Sequence, residues 1–277
     1  AGVATACSTR GDAPAAPTVA PATTPLATTA TTLGDSNDPA SGTATTSANA
    51  SSTTMATDAT TAADNSGTVT FGFDDEPTGQ GPVSFAPLLG DWVVEADATA
   101  PSPPNVYAQV GTQNITPPAG AAGQIFGKDY ADYLDKIDAY QVFPTTVADT
   151  DEWTDFDASV AFKAVSGKVD QTGGLIFRVV DPTNYYIWRC NVLEQDCRLW
   201  KYQDGQRSSV ESVSVGLDVG AWYQLRVRMV GAHMELYIGD RLLLEHDDAD
   251  FARGRVGLWT KADAVTYFDD FSVSPAT

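Results

Sequence analysis

From Thr68 onward, apolar and polar residues alternate with period two, and turn signals interrupt the alternation at short intervals, a pattern that predicts a succession of β-strands. Tyr223, Leu225, Val227 and Met229 alternate with Gln224, Arg226 and Arg228. After the turn at Val230-Gly231-Ala232, Met234, Leu236 and Ile238 alternate with His233, Glu235 and Tyr237, and Gly239-Asp240 offers a two-residue hairpin turn. Strand-like runs at 158–163, 175–180, 255–259 and 271–273 make a set too large for one small sheet, so two antiparallel sheets packed face to face are expected. One stretch breaks the rhythm. Between 127 and 140, Tyr130, Tyr133, Leu134 and Ile137 fall at helical spacing after a Gly/Ala/Pro loop at 117–123, which predicts a short helix on a loop inserted around 110–140. Asp129, Asp132, Asp135 and Asp138 then line its outer side, as a solvated face or a partner contact.

Composition divides the chain near residue 66. Residues 1–66 are almost wholly Ala, Thr, Ser and Pro, while residues 67–277 hold every Trp, Tyr and Phe. Such a tail buries too little apolar area to offset its ordering entropy, so it is expected to be an extended arm, and 67–277 one β-sandwich domain. Thr/Ser-rich, Pro-punctuated sequence suits an O-glycosylated stalk, or an arm that docks on a neighbouring copy. Asn49-Ala50-Ser51 and Asn114-Ile115-Thr116 are formal N-glycosylation sequons. With 16 basic and 36 acidic residues the chain carries a net charge of −20, which repels phosphate backbones and argues against nucleic acid as a partner. No apolar run approaches the roughly 20 residues needed to cross a bilayer. The start at Ala1 suggests that an export signal has been removed or lies outside this sequence, giving an extracellular or cell-surface address, and Ala4-Thr5-Ala6-Cys7 has the outline of a lipidation signal at Cys7.

Cys190 and Cys197 flank a six-residue segment between two strand-like runs. A tight hairpin centred on Leu193-Glu194 sets the two residues opposite each other, where a disulfide can bridge them. A cross-strand disulfide fits an oxidising compartment; the alternative is a pair of buried thiols. By parity Tyr186, Trp188, Cys190, Cys197 and Leu199 share one side of this hairpin, expected to be core. Ile187, Arg189, Asn191, Arg198, Trp200 and Tyr202 share the other.

The C-terminal part resembles the concanavalin A-like, laminin-G-type β-sandwiches of the family-16 glycoside hydrolase-like and 3-keto-disaccharide hydrolase domains. The resemblance rests on 166–175, on Asp181-Pro182-Thr183-Asn184-Tyr185-Tyr186, on 254–263 and on Tyr267-Phe268-Asp269-Asp270-Phe271, with Phe71-Gly72-Phe73-Asp74-Asp75 and Asn105-Val106-Tyr107-Ala108-Gln109 near the start. It spans roughly 71 to 273, broken by the insertion, and implies an all-β, two-sheet antiparallel jelly roll. It does not imply an activity, because this sandwich hosts enzymes, binders and spacers alike.

Catalytic chemistry is hard to place in this chain. Retaining glycosidases of family 16 carry Glu-x-Asp-x-(x)-Glu on one strand, because a nucleophile and an acid/base must stand about 5 Å apart. Glu152, Asp155 and Asp157 come nearest, but the next position on that face is Ser159. There are two histidines and no Gly-x-Ser-x-Gly elbow. His233 is expected beside a hairpin turn and His246 in an acidic loop with Asp247, Asp248 and Asp250, both solvated. That loop, or Asp269 and Asp270, offers calcium its oxygens, although no spaced calcium-binding loop is present and no cofactor is required. No catalytic residue is therefore assigned. A glycan-binding face is expected from Gln171, Arg178, Arg189, Asn191, Trp200, Trp259, Lys261 and Asp263, since aromatic faces beside planar hydrogen-bonding groups suit sugar rings. The competing reading packs these aromatics under the inserted loop. The leading functional expectation is a secreted, non-catalytic structural or adhesive protein assembling with copies of itself. The alternatives are a lectin-like module for cell-surface glycans and a 3-keto-disaccharide hydrolase.

Overall fold

The computed structural model describes residues 67–111 and 121–276. The expectations for residues 1–66, Cys7 and both sequons lie outside these residues. Fifteen strands are described: β1 (Val69–Phe71), β2 (Phe85–Leu89), β3 (Trp92–Ala96), β4 (Asn105–Val110), β5 (Thr145–Ala148), β6 (Phe156–Ser166), β7 (Thr172–Asp181), β8 (Asn184–Asn191), β9 (Asp196–Gln203), β10 (Gln206–Ser214), β11 (Trp222–Val230), β12 (His233–Ile238), β13 (Arg241–Asp247), β14 (Arg255–Trp259) and β15 (Val265–Pro275). They form two antiparallel sheets. One runs β13-β12-β11-β6-β15-β4-β3, with β1 also on β15; the other runs β10-β9-β8-β7-β14-β5-β2. The sheets face each other as a jelly-roll sandwich.

The alternating apolar residues meet between the sheets. Leu225, Val227, Met229, Met234 and Leu236 from the first sheet, and Phe177, Tyr186, Trp188 and Leu199 from the second, are all fully buried in one cluster. Each such side chain contributes about 1.5–3 kcal/mol by leaving water. Polar bonds also join the two sheets: Trp188 donates its indole N–H to the Tyr237 carbonyl at 3.0 Å, Thr266 donates its hydroxyl to the Thr172 carbonyl at 2.8 Å, and the hydroxyls of Tyr107 and Thr146 lie 3.2 Å apart. The hairpin turns fall where Gly231 and Gly239 take φ of 58° and 55°, conformations that glycine adopts without a Cβ penalty. His246 differs from its expected loop position. It lies within β13, opposite Met234, because the strand continues through Asp247, and its Nδ1 is 2.9 Å from a Glu211 carboxylate oxygen.

The connection from β4 to β5 carries α1 (Ala121–Phe126), α2 (Lys128–Asp135) and a 3-10 turn (Ile137–Ala139). Tyr130 and Tyr133 form the buried stripe of α2. They pack with Ile176, Tyr185, Ile187 and Tyr202 on the outer face of the second sheet, making a second apolar cluster. Tyr130 donates its hydroxyl to the Leu88 carbonyl at 2.9 Å. The insertion is then stitched to the β9–β10 turn, where the Gln141 amide donates to the Gly205 carbonyl at 3.0 Å and Tyr202 donates its hydroxyl to the Gln141 carbonyl at 2.8 Å. A Cβ at Gly205, whose φ is 76°, would run into the Tyr140 ring.

Candidate functional site

The insertion covers one part of the outer face of the second sheet, and polar chemistry gathers beside it. The strand register explains why. Arg198 on β9 pairs with Arg189 on β8, Arg189 with Gly174 on β7, and Gly174 with Trp259 on β14. The neighbouring row holds Trp200 opposite Ile187, and the row beyond holds Tyr202 opposite Arg207 of β10. Period-two geometry puts all of these on the face away from the core. Gly174 interrupts the row of large side chains, and a Cβ there would meet the Arg189 Cβ at 2.9 Å.

Cys190 and Cys197 are directly paired in this ladder and joined as a disulfide, both sealed in the core. Beyond them the Asn191 side-chain oxygen accepts the amides of Leu193 and Glu194 at 2.9 and 3.2 Å, which shapes the turn and brings Glu194 and Asp196 back toward Arg189. The Arg189 guanidinium donates to Asp196 at 2.5 Å and to Glu194 at 2.6 Å. The other Asp196 oxygen accepts from Arg198 at 2.6 Å, so this one carboxylate bridges two arginines that stand opposite each other across the strands.

Around Trp200 three guanidiniums converge, with Arg207, Arg198 and Arg189 at 3.9, 5.1 and 5.9 Å from its ring centre. Arg207 also lies 4.7 Å from the Phe143 ring and 5.6 Å from that of Trp259. Burial, and then the Arg189 charge beside it, lower the Arg207 pKa to about 10. The indole N–H groups of Trp200 and Trp259 find no hydrogen-bond partner among the described residues. A polar network continues from here. Asn191 donates to Asp170 at 2.7 Å, Lys261 Nζ stands 2.7 Å from the other Asp170 oxygen, and Gln171 donates to the Gly167 carbonyl at 3.0 Å. Asp263 accepts the amides of Lys168, Val169 and Asp170 at 2.7, 2.9 and 3.1 Å, bonds that hold its carboxyl below the usual range and fix the loop carrying Asp170.

Seven of the eight residues expected in a binding face, Gln171, Arg189, Asn191, Trp200, Trp259, Lys261 and Asp263, thus lie at this end of the sheet. Arg178 does not. Its backbone takes φ of 50° at a bulge, which shifts the alternation so that Val179 joins the outer cluster. The Arg178 guanidinium turns to the carbonyls of Phe251, Thr154 and Gly231 at 2.7, 2.6 and 2.9 Å and is a structural tie. Trp259 also departs from expectation, since it is fully buried, with Phe143 of the insertion packed 5.2 Å from it. It floors the site and offers no open platform. Arg207 and Phe143 were missing from the expected set. Asp204-Gly205 was the available signal for Arg207, because a two-residue turn there pairs Tyr202 with Arg207 on one face. Nothing in the local sequence places Phe143.

Groups considered for other chemistry are engaged. Asp157 pairs with Arg226 and Glu152 with Arg253. Asp248 and Asp250 both pair with Lys201. His233, Glu235 and Glu245 offer ligand atoms within 4.8 Å of one another, but Glu235 already accepts from Arg228 at 3.1 Å and from the Tyr237 hydroxyl at 2.5 Å. No helix among the described residues is long and apolar enough to cross a membrane.

Fold and site together define a two-sheet antiparallel jelly-roll domain with a polar cluster on the outer face of its second sheet. Residues 144–274 match the family described as the 3-keto-alpha-glucoside-1,2-lyase-like domain. A levanase of Bacillus subtilis (strain 168) is 25% identical over 118 residues, which are 42% of this chain and only 17% of the levanase. Among solved structures, the carbohydrate-binding module CBM66 from Bacillus subtilis superposes with a TM-score of 0.50 at 16% identity, covering 69% of this chain and 95% of that one. A Bacillus licheniformis beta-glucanase aligns over 48% of this chain and 71% of its own at 10% identity, with a TM-score of 0.37.

Proposed function

We propose that the domain is a non-catalytic glycan-binding module working outside the cell, with its ligand seated against the half-buried Trp200, Arg198, Arg207 and Lys261 on the second sheet's outer face. The observation that carries this reading is a hydrogen-bonding network beside the Trp200 ring, in which the buried Arg189, Asn191 and Asp170 hold the half-buried Arg198 and Lys261 in place. Sugars present hydroxyls at similar spacing and bind where such groups are already oriented. The levanase match and the likeness to CBM66 support it. The buried disulfide supports the extracytoplasmic address. Residues 1–66 then serve as a stalk or as an arm to neighbouring copies.

The test is a glycan array probed with the full-length chain, followed by calorimetry on the hits. Specific binding that Trp200→Ala weakens at least tenfold is expected. An array without hits, on protein shown to be folded, refutes the reading. A second reading, a hydrolase or lyase of 3-keto-glycosides, draws on the family match over 144–274. Turnover of a 3-keto-disaccharide that survives repurification to constant specific activity would favour it.

A further inference from the structure

Arg207 is unlike the other cations of this domain. Every other buried or half-buried lysine and arginine among the described residues reaches a carboxylate or a carbonyl: Lys163 pairs with Asp97, Lys201 with Asp248, Arg226 with Asp157, Arg228 with Glu235 and Lys261 with Asp170. Arg189 and Arg198 share Asp196, while Arg178 and Arg255 donate to carbonyls. Among the described residues the half-buried Arg207 guanidinium has no hydrogen-bond partner of either kind, and Asp170 and Glu194 attract it only at longer range.

It is also held in place. Its face lies on Trp200 at 3.9 Å, with Phe143 at 4.7 Å, and its amide donates to the Gln141 side chain at 3.1 Å. A guanidinium fixed by its faces keeps its in-plane N–H fork for a coplanar acceptor. The local charge is more positive than that of the chain as a whole. Arg189, Arg198, Arg207 and Lys261 are matched here by Asp170, Glu194, Asp196 and Asp263, a locally balanced patch in a chain whose net charge is −20.

We propose that Arg207 is a carboxylate clamp, and that the glycan bound at this site carries a uronic acid whose carboxylate takes the guanidinium fork. The inference rests on the glycan-binding reading above. It goes further in naming the acidic sugar and the residue that selects it.

Calorimetry on the full-length chain tests it with oligogalacturonate, oligomannuronate and oligoglucuronate, each beside its carboxyl-reduced neutral counterpart and a sulfated oligosaccharide. At least one uronate is expected to bind ten times or more tighter than its reduced form, the range of a charge-assisted hydrogen-bond pair. Arg207→Gln should erase that advantage, read as the ratio of uronate to reduced-form affinity measured on the same variant, whatever it does to the neutral affinity alone. Arg207→Lys, which keeps the charge without the fork, should recover only part of it. Melting temperatures of both variants identify any loss due to misfolding. Equal binding of uronate and reduced forms, equal weakening of both by Arg207→Gln, or preference for the sulfated sugar overturns the inference and leaves glycan binding standing. Absence of binding by every oligosaccharide, neutral forms included, overturns both.

Discussion

Removing Asp196 should cost more stability than any other single carboxylate change at the candidate site. Its side chain is 10% exposed, and it bridges Arg189 at 2.5 Å, itself 4% exposed, and Arg198 at 2.6 Å, 28% exposed. The two arginines are direct cross-strand partners, so Asp196→Ala leaves like charges opposite each other with only Glu194 to neutralise Arg189. Breaking a buried pair by deleting one partner costs about 3–5 kcal/mol. Glu194 is 42% exposed and remains, which favours the lower end, about 3 kcal/mol. For a domain of this size that corresponds to roughly 6–12 °C in melting temperature. Asp196→Asn keeps one acceptor oxygen and should lose about half as much. Urea unfolding followed by tryptophan fluorescence measures it, with a lower midpoint at unchanged slope expected. A change below about 0.5 kcal/mol, the size of an ordinary surface substitution, would refute the argument and mean that water screens this network.

Two further outcomes follow from buried groups. Cys190→Ala with Cys197→Ala should destabilise the domain by about 2 kcal/mol or more in urea unfolding, since closing a loop of sequence separation 7 restricts the unfolded chain by that order; an unchanged midpoint would show that the ladder alone holds the hairpin. Asp269 is fully buried, and desolvation raises its carboxyl to about 6 although the amides of Ser102 and Asp270 donate to it. The native state therefore holds this proton more tightly than the unfolded chain, so its contribution is complete below about pH 4 and is lost as pH rises through about 6. Wild type should gain melting temperature relative to Asp269→Asn between pH 7 and pH 5, and a constant difference would contradict the burial argument.

The architecture was legible where period and turn chemistry agreed. The hairpins around Gly231 and Gly239 and the facing of Tyr186, Trp188, Cys190, Cys197 and Leu199 follow from alternation alone, because one face of each strand is buried and a slip by one residue would reverse it. The Cys190–Cys197 register follows from the turn for the same reason. Arg178 was not legible. A bulge with left-handed backbone shifts the phase of β7, and no glycine or other local signal marks the position. His246 was read as loop because its acidic neighbours suggest solvent, yet it lies half-buried on an edge strand opposite Met234, where Glu211 from the other sheet's edge strand meets its ring.

What the sequence hides at the site is the work of the insertion. Alternation assigns Trp200, Tyr202 and Trp259 to an outer face without saying whether water, a ligand or the chain itself covers it. The segment from α1 to Phe143 covers Tyr202 and Trp259 and packs against Trp200, which carries Arg207 on its ring. A face of aromatic platforms in the one-dimensional reading thereby becomes a face of oriented cations, and the stacking surface that a neutral sugar would use is already taken by a guanidinium. On the glycan-binding proposal, recognition at this end of the sheet proceeds through hydrogen bonding and charge, with aromatic contact limited to the part of Trp200 that Arg207 does not cover, and that shift from stacking to charge favours an acidic sugar.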